Sequence, residues 1–413
     1  MDFVEYLVIG AGPAGGAAAR ELARHAPPGS VLLVGEEPLA PYERPPLSKT
    51  TLADLANGAD SPPRPMLGSA EELEAAGVRL LLGMRAGHID RCARLVTLAD
   101  GRRIGYGRLL LATGTRARRL GLAGADRPNV HYLRTYGDAV ALAPRLVPGA
   151  RVVIVGGGFI GLEVAATASR LGCAVAVLEA GPCLMGRALP AELAERFRAK
   201  FARHGVDVRL RAAVAALHGS ESVESVRLGS GDTLPADLLV AGIGAVPNTE
   251  LAEAAGLEVD DGILTDAAGA TSDSCIHAAG DVARRMQGLA THPGHRVRLE
   301  AWEPALEQAV ATAQAMLGRP SVPVRPPWMW TDQFDWNLQV AGHGQLADTQ
   351  IVRPLGEDRV AVFQLWQRRL IGAIALNAPR EMALARRALQ RPPTLDPERL
   401  ADPSTPLREV LAA

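Results

Sequence analysis

The sequence predicts an α/β protein with two Rossmann-like dinucleotide-binding domains and a third, C-terminal α+β domain. The first observation is a strand, a glycine turn, a helix and a second strand at the N-terminus, in EYLVIG, AGPAGG, AAARELARH and SVLLVG. The second is the same order of elements from Arg151 onwards, in RVVIVGGGFIGLEVAATASRLGCAVAVLEA. The third is a series of short apolar strands after a proline-rich stretch at residues 318–328. Two separate glycine turns indicate two bound nucleotides.

Length and charge narrow the class of protein. A chain of 413 residues is too long for one compact core, so two or three domains are expected. Apolar residues make up 48% of the chain and charged residues 22%, which is typical of a globular protein rather than a disordered or fibrous one. The 44 basic residues are balanced by 45 acidic ones, so no overall field attracts nucleic acid.

The N-terminus and the cysteines indicate a cytoplasmic location. The first residues lack a basic start and include Asp2 and Glu5, so we expect no secretory signal. No apolar run reaches the length of about 18 residues that a membrane span needs. The cysteines are far apart and show neither a C-x-x-C pair nor the spacing of metal ligands, so we expect reduced thiols and no metal site; they are Cys92, Cys173, Cys183 and Cys275.

The segments around the two glycine turns suggest a discontinuous first domain. Residues 78–111 contain short strands such as RLVTL and RLLLATG, which we interpret as additions to the first sheet. After Ala241, the segment GIGAVPN and the small residues up to Val282 suggest that the chain returns to the first domain. We therefore expect an arrangement of the glutathione-reductase type, with a first domain at residues 1–113 and 247–325, a second at 114–246 and a C-terminal domain at 326–413.

The C-terminal part begins after the best candidate for a linker, GRPSVPVRPPW, because its prolines block a helix and disfavour a central strand. Beyond it, QVAG, IVRPL, RVAVFQLW and RLIGAIAL predict an antiparallel meander. A short helix is expected from Pro379 to Leu389.

The first glycine turn has the residues that a bound dinucleotide requires. Gly10, Gly12 and Gly15 permit a tight turn, close approach of the backbone to a pyrophosphate, and close helix packing. Glu36 follows the second strand, 26 residues after Gly10, where its carboxylate can accept the hydroxyls of a ribose. Glu37 is the alternative for this role.

The second turn repeats the pattern with Gly156, Gly158 and Gly161. Glu179 stands 23 residues after Gly156, where its carboxylate would accept a 2′-hydroxyl and repel a 2′-phosphate. NADH is therefore favoured over NADPH. Arg187 lies nearby and either supports the adenosine or is a solvated surface residue.

Two further segments of small residues, ATG at 112–114 and AAGD at 278–281, let the backbone approach a cofactor. Within the second, Asp281 offers a carboxylate to a polyol hydroxyl.

The chain resembles the FAD-dependent ferredoxin reductases of bacterial oxygenase systems, the family of putidaredoxin reductase, rhodocoxin reductase and the reductases of aromatic-ring dioxygenases. The matching segments follow the family's order along the whole chain, and they include PYERPPLSK (41–49), LLLATGTRARRL (109–120), YLRTYGDA (132–139), VVIVGGGFIGLEVAATA (152–168), AGIGAVPNTELAEAAGL (241–257), TSDSCIHAAGD (271–281), RLEAWEPALEQA (298–309) and PWMWTDQFDWNLQVAG (327–342). The resemblance implies FAD in the first domain and NAD(H) in the second. It also implies a [2Fe–2S] ferredoxin as electron acceptor, serving a cytochrome P450 or a Rieske oxygenase.

The same resemblance implies a catalytic pair. Lys49, after the paired prolines of PPLSK, would point at the flavin ring, and Glu163 would be its partner across the two domains, beside flavin N5 and the nicotinamide carboxamide. Residues implied as FAD contacts are Ala14, Arg44, Ala86, Thr113, Arg134, Asp281 and Trp302, with Trp330 as an aromatic wall near the flavin. Further positions expected to bind the cofactors are Pro13, Gly114, Ile160 and Gly244.

The resemblance leaves alternatives to a ferredoxin as acceptor and to electron transfer as the function. No cysteine pair follows the first turn, where PPLSKTTL stands, so a disulfide reductase is disfavoured. The acceptor can instead be rubredoxin or monodehydroascorbate, or the chain can be an NADH-sensing flavoprotein resembling apoptosis-inducing factor. An acidic ferredoxin would be steered by basic residues, for which Arg64, Arg368 and Arg369 are candidates.

The chain departs from the family in two places. Met329 and Trp330 stand where many relatives have Phe-Trp, which can adjust the wall of the pocket. TTLADLANG stands where relatives have a longer basic segment, so the sequence does not indicate which surface meets the acceptor.

Overall fold

The computed structural model describes residues 2–63, 69–286, 292, 294–320 and 325–412. Contacts between Cα atoms divide the chain into two compact units. The first unit consists of Met1–Glu43, Arg64–Arg116 and Val246–Pro327, and the second of Arg44–Pro63, Ala117–Ala245 and Trp328–Ala413. The division into three domains made from the sequence stays a prediction.

The strands of the described residues are, in chain order, β1 Asp2–Ile9, β2 Val31–Val34, β3 Val78–Leu81, β4 Ala86–Asp90, β5 Leu95–Leu98, β6 Arg103–Leu111, β7 Thr115–Ala117, β8 Val130–His131, β9 Arg151–Val155, β10 Ala174–Glu179, β11 Asp207–Leu210, β12 Val214–His218, β13 Ser225–Leu228, β14 Thr233–Pro235, β15 Leu238–Ala241, β16 Ala245–Pro247, β17 Ile263–Thr265, β18 Ile276–Ala278, β19 Ala283–Met286, β20 Arg296–Arg298, β21 Trp328–Gln333, β22 Trp336–Gly342, β23 Thr349–Gly356, β24 Arg359–Trp366 and β25 Arg369–Leu376.

The α-helices are α1 Pro13–Ala23, α2 Thr50–Ala56, α3 Ala70–Ala75, α4 Tyr136–Leu142, α5 Phe159–Arg170, α6 Ala191–Arg203, α7 Glu250–Ala254, α8 Trp302–Met316, α9 Pro379–Ala388, α10 Pro397–Ala401 and α11 Leu407–Leu411. Short 3₁₀ helices span Pro45–Ser48, Ala143–Arg145 and Gly344–Leu346.

The first unit contains a sheet in the order β3-β2-β1-β6-β5-β4, with β18 also paired to β6. Strands β1, β2, β3, β6 and β18 are parallel to their neighbours in this set, and β4 and β5 join antiparallel at the edge. The strands expected within residues 78–111 are thus confirmed as additions to the first sheet. On this sheet, the alanine-rich face of α1 packs with alanines of α8 in one buried cluster, because small side chains allow two helices to approach closely.

The second unit contains a parallel sheet in the order β11-β10-β9-β15-β8, the second glycine turn leading from β9 into α5. An antiparallel sheet at the C-terminus has the order β21-β22-β25-β24-β23. Within this unit the ring of Phe197 on α6 meets Trp336 on β22 edge to face, with centroids 5.0 Å apart. The fold class expected from the sequence, two Rossmann-like parts and a C-terminal α+β part, is confirmed.

The C-terminal sheet differs from the expected meander in two respects. Strands β23, β24 and β25 follow one another as expected, but β22 pairs with β25 and so occupies the inner side. In addition, the last residue of the proposed linker, Trp328, begins a further strand, β21, which pairs with β22. Four residues of that linker, 321–324, lie outside the described residues.

Within the described residues, no helix has both the length and the apolar character needed to cross a membrane.

A buried histidine lies on β18 of the first sheet. His277 is 4% exposed, and its Nδ1 has no hydrogen-bond partner among the described residues. Burial, reinforced by the positive charge of Arg108, lowers the pKa of His277 to about 4, against a partial opposing effect of Asp266 and Asp273. Between pH 6.5 and about 4, the folded protein therefore keeps this imidazole neutral, whereas the unfolded chain would bind a proton.

We predict that His277 makes a constant contribution to the free energy of unfolding above its ordinary pKa of 6.5. As the pH drops from there to about 4, the free energy of unfolding should fall. The loss amounts to about 3 kcal/mol, since each pKa unit corresponds to about 1.4 kcal/mol. Urea unfolding across this pH range, compared between the parent protein and His277→Gln, measures the contribution. Equal pH dependence in both proteins would contradict it.

Candidate functional site

At the first glycine turn, two stretches of backbone lie so close together that no side chain fits between them. Gly10 has a φ of +111°, and a Cβ atom there would lie 2.2 Å from the carbonyl oxygen of Ala112. A Cβ atom on Gly15 would lie 1.7 Å from the carbonyl oxygen of Gly10. The turn leads into α1, which begins at Pro13 with Gly12 as an N-cap that supplies no side-chain acceptor. The amide groups at this helix end suit the pyrophosphate of a dinucleotide.

The small residues of the AAGD segment are also tightly placed. Gly280 has a φ of +78°, and a Cβ atom there would lie 2.7 Å from the Cβ atom of Ala14. Next to Gly280, Asp281 accepts a hydrogen bond from the hydroxyl of Thr115 at 3.5 Å. The segment AAGD thus lies against the start of α1.

A residue that the sequence reasoning did not single out, Asn248, ties down the ATG segment. The hydroxyl of Thr113 donates to the backbone oxygen of Asn248 at 2.7 Å, and the amide of Asn248 donates to the backbone oxygen of Thr113 at 2.8 Å. The backbone N–H of Asn248 donates to the oxygen of Gly114 at 2.9 Å. The only sequence signal for it was its place at the end of GIGAVPN.

The two acids after β2 differ in their surroundings. The hydroxyl of Tyr42 donates to Glu37 at 2.6 Å, so Glu37 is held by its own unit. Glu36 is exposed and makes no hydrogen bond or ion pair within the ranges described. Two other predicted FAD contacts open elements of the same unit, Ala86 at β4 and Trp302 at α8.

The second glycine turn, in the second unit, has the same geometry. Gly156 has a φ of +104°, and a Cβ atom there would lie 2.4 Å from the oxygen of Gly242. On Gly161, a Cβ atom would lie 2.2 Å from the oxygen of Gly156. Gly158 is the N-cap of α5 and supplies no side-chain acceptor, and Ile160 at the start of this helix is 46% exposed. This turn therefore also fits a dinucleotide pyrophosphate.

Glu179 at the end of β10 holds the second turn. Its carboxylate accepts the N–H of Gly157 at 2.7 Å on one oxygen and the N–H of Gly181 at 2.6 Å on the other. Each carboxylate oxygen has a second lone pair, so a ribose hydroxyl can still bind. Arg187 is exposed, and Gly244, with a φ of +105°, has open space where a Cβ atom would be.

Lys49 and Glu163 form a buried ion pair inside the second unit. The Lys49 ammonium lies 2.9 Å from Oε1 of Glu163, and the two side chains are 15% and 4% exposed. The 3₁₀ helix Pro45–Ser48 delivers Lys49, because its two prolines fix the backbone that leads to it. Glu163 lies in the second turn of α5.

Two hydroxyl groups complete the surroundings of the Glu163 carboxylate. Ser48 donates to Oε2, and Thr331 on β21 donates to Oε1 at 2.6 Å. Thr167, one turn after Glu163, donates to the backbone oxygen of Ser48 at 2.8 Å. The sequence reasoning missed these three hydroxyls, although Ser48 stands within PPLSK.

The other predicted FAD contacts of the second unit are Arg44, Arg134 and Trp330. The guanidinium of Arg44 donates to the backbone oxygen of Arg134 at 2.7 Å. Trp330 stacks on Trp328 with ring centroids 5.1 Å apart and an interplanar angle of 20°. Arg44 therefore fixes the loop that carries Arg134, and Trp330 is held as a flat surface on β21.

We predict that the two charges of the ion pair contribute to stability together. Lys49→Met leaves a buried carboxylate without its cation, and we expect the free energy of unfolding to fall by roughly 3 kcal/mol. In the double variant with Glu163→Gln the loss should be smaller than the sum of the single losses, by about 1–3 kcal/mol. Urea unfolding of the four proteins measures this coupling. Strictly additive losses would show that the pair contributes nothing.

Comparison with known proteins agrees with this geometry. Residues 4–309 match the family model described as pyridine nucleotide-disulphide oxidoreductase, and residues 328–411 match that described as reductase C-terminal. The chain is 38% identical to the ferredoxin–NAD(+) reductase component of an anthranilate 1,2-dioxygenase system from Burkholderia cepacia, covering 100% of both chains. It is 38% identical to rhodocoxin reductase from Rhodococcus erythropolis, covering 98% of this chain and 94% of that one.

The structure is also similar to that of putidaredoxin reductase in its covalent complex with putidaredoxin. The TM-score is 0.93 at 35% identity, covering 100% of this chain and 98% of the other. The two glycine turns, the two Rossmann-like sheets and the full-length similarity agree, and the chain belongs to the pyridine nucleotide-disulphide oxidoreductase family.

Proposed function

We propose that this protein is an FAD-dependent NADH:ferredoxin oxidoreductase that passes electrons singly to a [2Fe–2S] ferredoxin serving a cytochrome P450 or a Rieske oxygenase. The observation that carries the proposal is the buried Lys49–Glu163 pair in a chain with two glycine turns, each shaped for a dinucleotide. The name of one similar protein, the ferredoxin–NAD(+) reductase component of a dioxygenase system, supports the same reaction.

The first unit is proposed to bind FAD. The amides at Gly10, Gly12 and the start of α1 receive the pyrophosphate, and the exposed carboxylate of Glu36 accepts the ribose hydroxyls. Asp281 accepts a hydroxyl of the ribityl chain. Bound FAD supplies the redox chemistry, which is two-electron uptake from NADH and one-electron release to the acceptor. Further contacts proposed for FAD in this unit are Pro13, Ala14, Gly15, Ala86, Thr113, Gly114 and Trp302.

The second unit is proposed to bind NADH. The turn of Gly156, Gly158 and Gly161 receives its pyrophosphate, and Glu179 accepts a ribose hydroxyl while it holds the turn. Ile160, Gly244 and Arg187 line the same binding region in this proposal.

The Lys49–Glu163 pair is proposed to act at the reacting end of the nicotinamide. The ammonium of Lys49 would stabilise negative charge on the group that receives the hydride. Glu163 holds that cation in place and offers an acceptor to the carboxamide of the nicotinamide, which orients the ring. Because the hydroxyls of Ser48 and Thr331 also hold the Glu163 carboxylate, the ammonium is positioned before NADH arrives.

The acceptor is proposed to be an acidic ferredoxin. Arg368 lies on the turn between β24 and β25 and Arg369 begins β25, and both are exposed, so their basic charge can steer an acidic partner. The guanidinium of Arg368 also donates to the oxygen of Leu395 at 3.1 Å, which fixes its position. Arg64, the third candidate, lies outside the described residues. We place the protein in the cytoplasm, where the free thiols of its cysteines are typical.

Rapid mixing tests the proposal directly. The purified, flavin-loaded protein is mixed without oxygen with NADH, and the loss of flavin absorbance is followed; the reduced protein is then mixed with an acidic [2Fe–2S] ferredoxin, rubredoxin or monodehydroascorbate. We expect reduction by NADH and fastest reoxidation by the ferredoxin. Protein that takes up no flavin or leaves NADH unoxidised would refute the reaction, whereas faster reoxidation by rubredoxin or monodehydroascorbate would refute the acceptor.

We predict that Glu179 sets the preference for NADH. In Glu179→Ala combined with Ala180→Arg, the ratio of kcat/KM for NADPH to that for NADH should rise by about tenfold or more, because a repelling carboxylate is replaced by a cation that can pair with the 2′-phosphate. Steady-state kinetics with both nucleotides measures the ratio.

The matched control is Glu179→Gln, which keeps an oxygen acceptor for the turn but carries no charge. Its ratio should lie between those of the parent and the double variant. A ratio unchanged in all three proteins would show that Glu179 does not meet the ribose.

A further inference from the structure

A threonine of the C-terminal sheet contacts the buried carboxylate of the ion pair. We propose that Thr331 is a positioning residue for NADH oxidation, whose hydroxyl fixes the orientation of the Glu163 carboxylate and, through it, that of the Lys49 ammonium. The inference rests on the proposed function, because it concerns the same reaction. It adds a specific task for the C-terminal sheet, which supplies a hydrogen bond inside the site.

The donors to Glu163 come from two places in the chain. Ser48 and Lys49 are consecutive residues, so their two donors shift together whenever that loop shifts. Thr331 donates from β21, a strand whose register against β22 pairs it with Leu338. The carboxylate rotates with little intrinsic preference about its last torsion. Thr331 is therefore the donor that fixes this rotation independently of the loop.

The direction of the Thr331 hydrogen bond follows from its second partner. The Gln333 amide donates to the Thr331 oxygen at 3.2 Å. Gln333 is fully buried, and its Nε2 also lies 3.8 Å from the sulfur of Met185. Because Thr331 accepts from Gln333 and has one hydrogen of its own, that hydrogen is directed at Oε1 of Glu163. Thr331 is 1% exposed, so water does not replace either partner readily.

One carboxylate oxygen thus has two donors whose effects differ. Oε1 receives the ammonium at 2.9 Å and the hydroxyl at 2.6 Å, whereas Oε2 receives Ser48. Without the hydroxyl of Thr331, the ammonium is the only remaining side-chain donor to Oε1 within the described residues, and the carboxylate can turn with the loop. The charge of the site is then unchanged, but its direction is less well defined. An effect on the rate of hydride transfer is expected, with a smaller effect on NADH binding.

The test compares side chains of nearly equal shape. Thr331→Val keeps the shape and removes the hydroxyl, Thr331→Ser keeps the hydroxyl, and Thr331→Ala removes the hydroxyl without a bulky replacement. The matched control is Thr312→Val on α8, since Thr312 is also fully buried and its hydroxyl has no hydrogen-bond partner among the described residues. Flavin-loaded proteins are mixed with increasing NADH, and the limiting rate of flavin reduction and the half-saturating NADH concentration are determined separately.

We expect the limiting rate of Thr331→Val to fall about tenfold, the effect of losing a hydrogen bond to a charged group, with the half-saturating concentration changed by less than about twofold. Thr331→Ala should fall similarly, and Thr331→Ser and Thr312→Val should stay within about twofold of the parent. Thermal unfolding of the same samples separates a rate effect from loss of fold.

Each contrary result has a distinct meaning. Thr331→Val and Thr331→Ala with the parent's limiting rate would overturn the inference while leaving the proposed function intact. A fall in Thr331→Ser equal to that in Thr331→Val would overturn it too, because the methyl group rather than the hydroxyl would then matter. If only the serine variant yields flavin-loaded protein, the hydroxyl serves folding and the inference is wrong. If NADH does not reduce the flavin of the parent protein, the proposed function itself is refuted.

Discussion

The buried carboxylate of Glu163, carried by α5, constrains the structure of the second unit. Glu163 is 4% exposed, and a buried charge without partners is too costly for a folded protein to keep. The ammonium of Lys49 and the hydroxyls of Ser48 and Thr331 stabilise this charge. Those donors fix where the loop, α5 and β21 lie relative to one another, so the chemistry of one side chain organises three parts of a single unit.

The glycine turns impose a second constraint, which is steric. At Gly10, Gly15, Gly156 and Gly161 an added Cβ atom would lie between 1.7 and 2.4 Å from a backbone oxygen. That crowding leaves room for one residue type alone, and it presses the amides of a helix end towards any bound anion. The identity of these residues thus follows from the close approach that a pyrophosphate site requires.

Sequence reasoning reached those features because they are local. A strand, a glycine turn and a helix lie within about twenty residues of one another, so their pattern is visible in the chain itself. The donors of Glu163 are different, because Thr331 is separated from it by 168 positions and no local pattern connects the two. Asn248 was missed for the same reason, since its partner Thr113 is 135 positions away. Lys49 and Glu163 were paired only through the resemblance to a family, whereas the proline-rich context of Trp328 concealed the start of β21.

The hydrogen bond from β21 also bears on how chains of this kind can be recombined. A hybrid that joins the first 320 or so residues to the C-terminal part of a relative replaces the residue that faces Glu163. Such a hybrid keeps both glycine turns, but it changes the residues that contact the buried Glu163 carboxylate. The C-terminal sheet is therefore no interchangeable spacer, and a crossover placed before Trp328 must carry a hydroxyl at position 331 to leave those surroundings as they are.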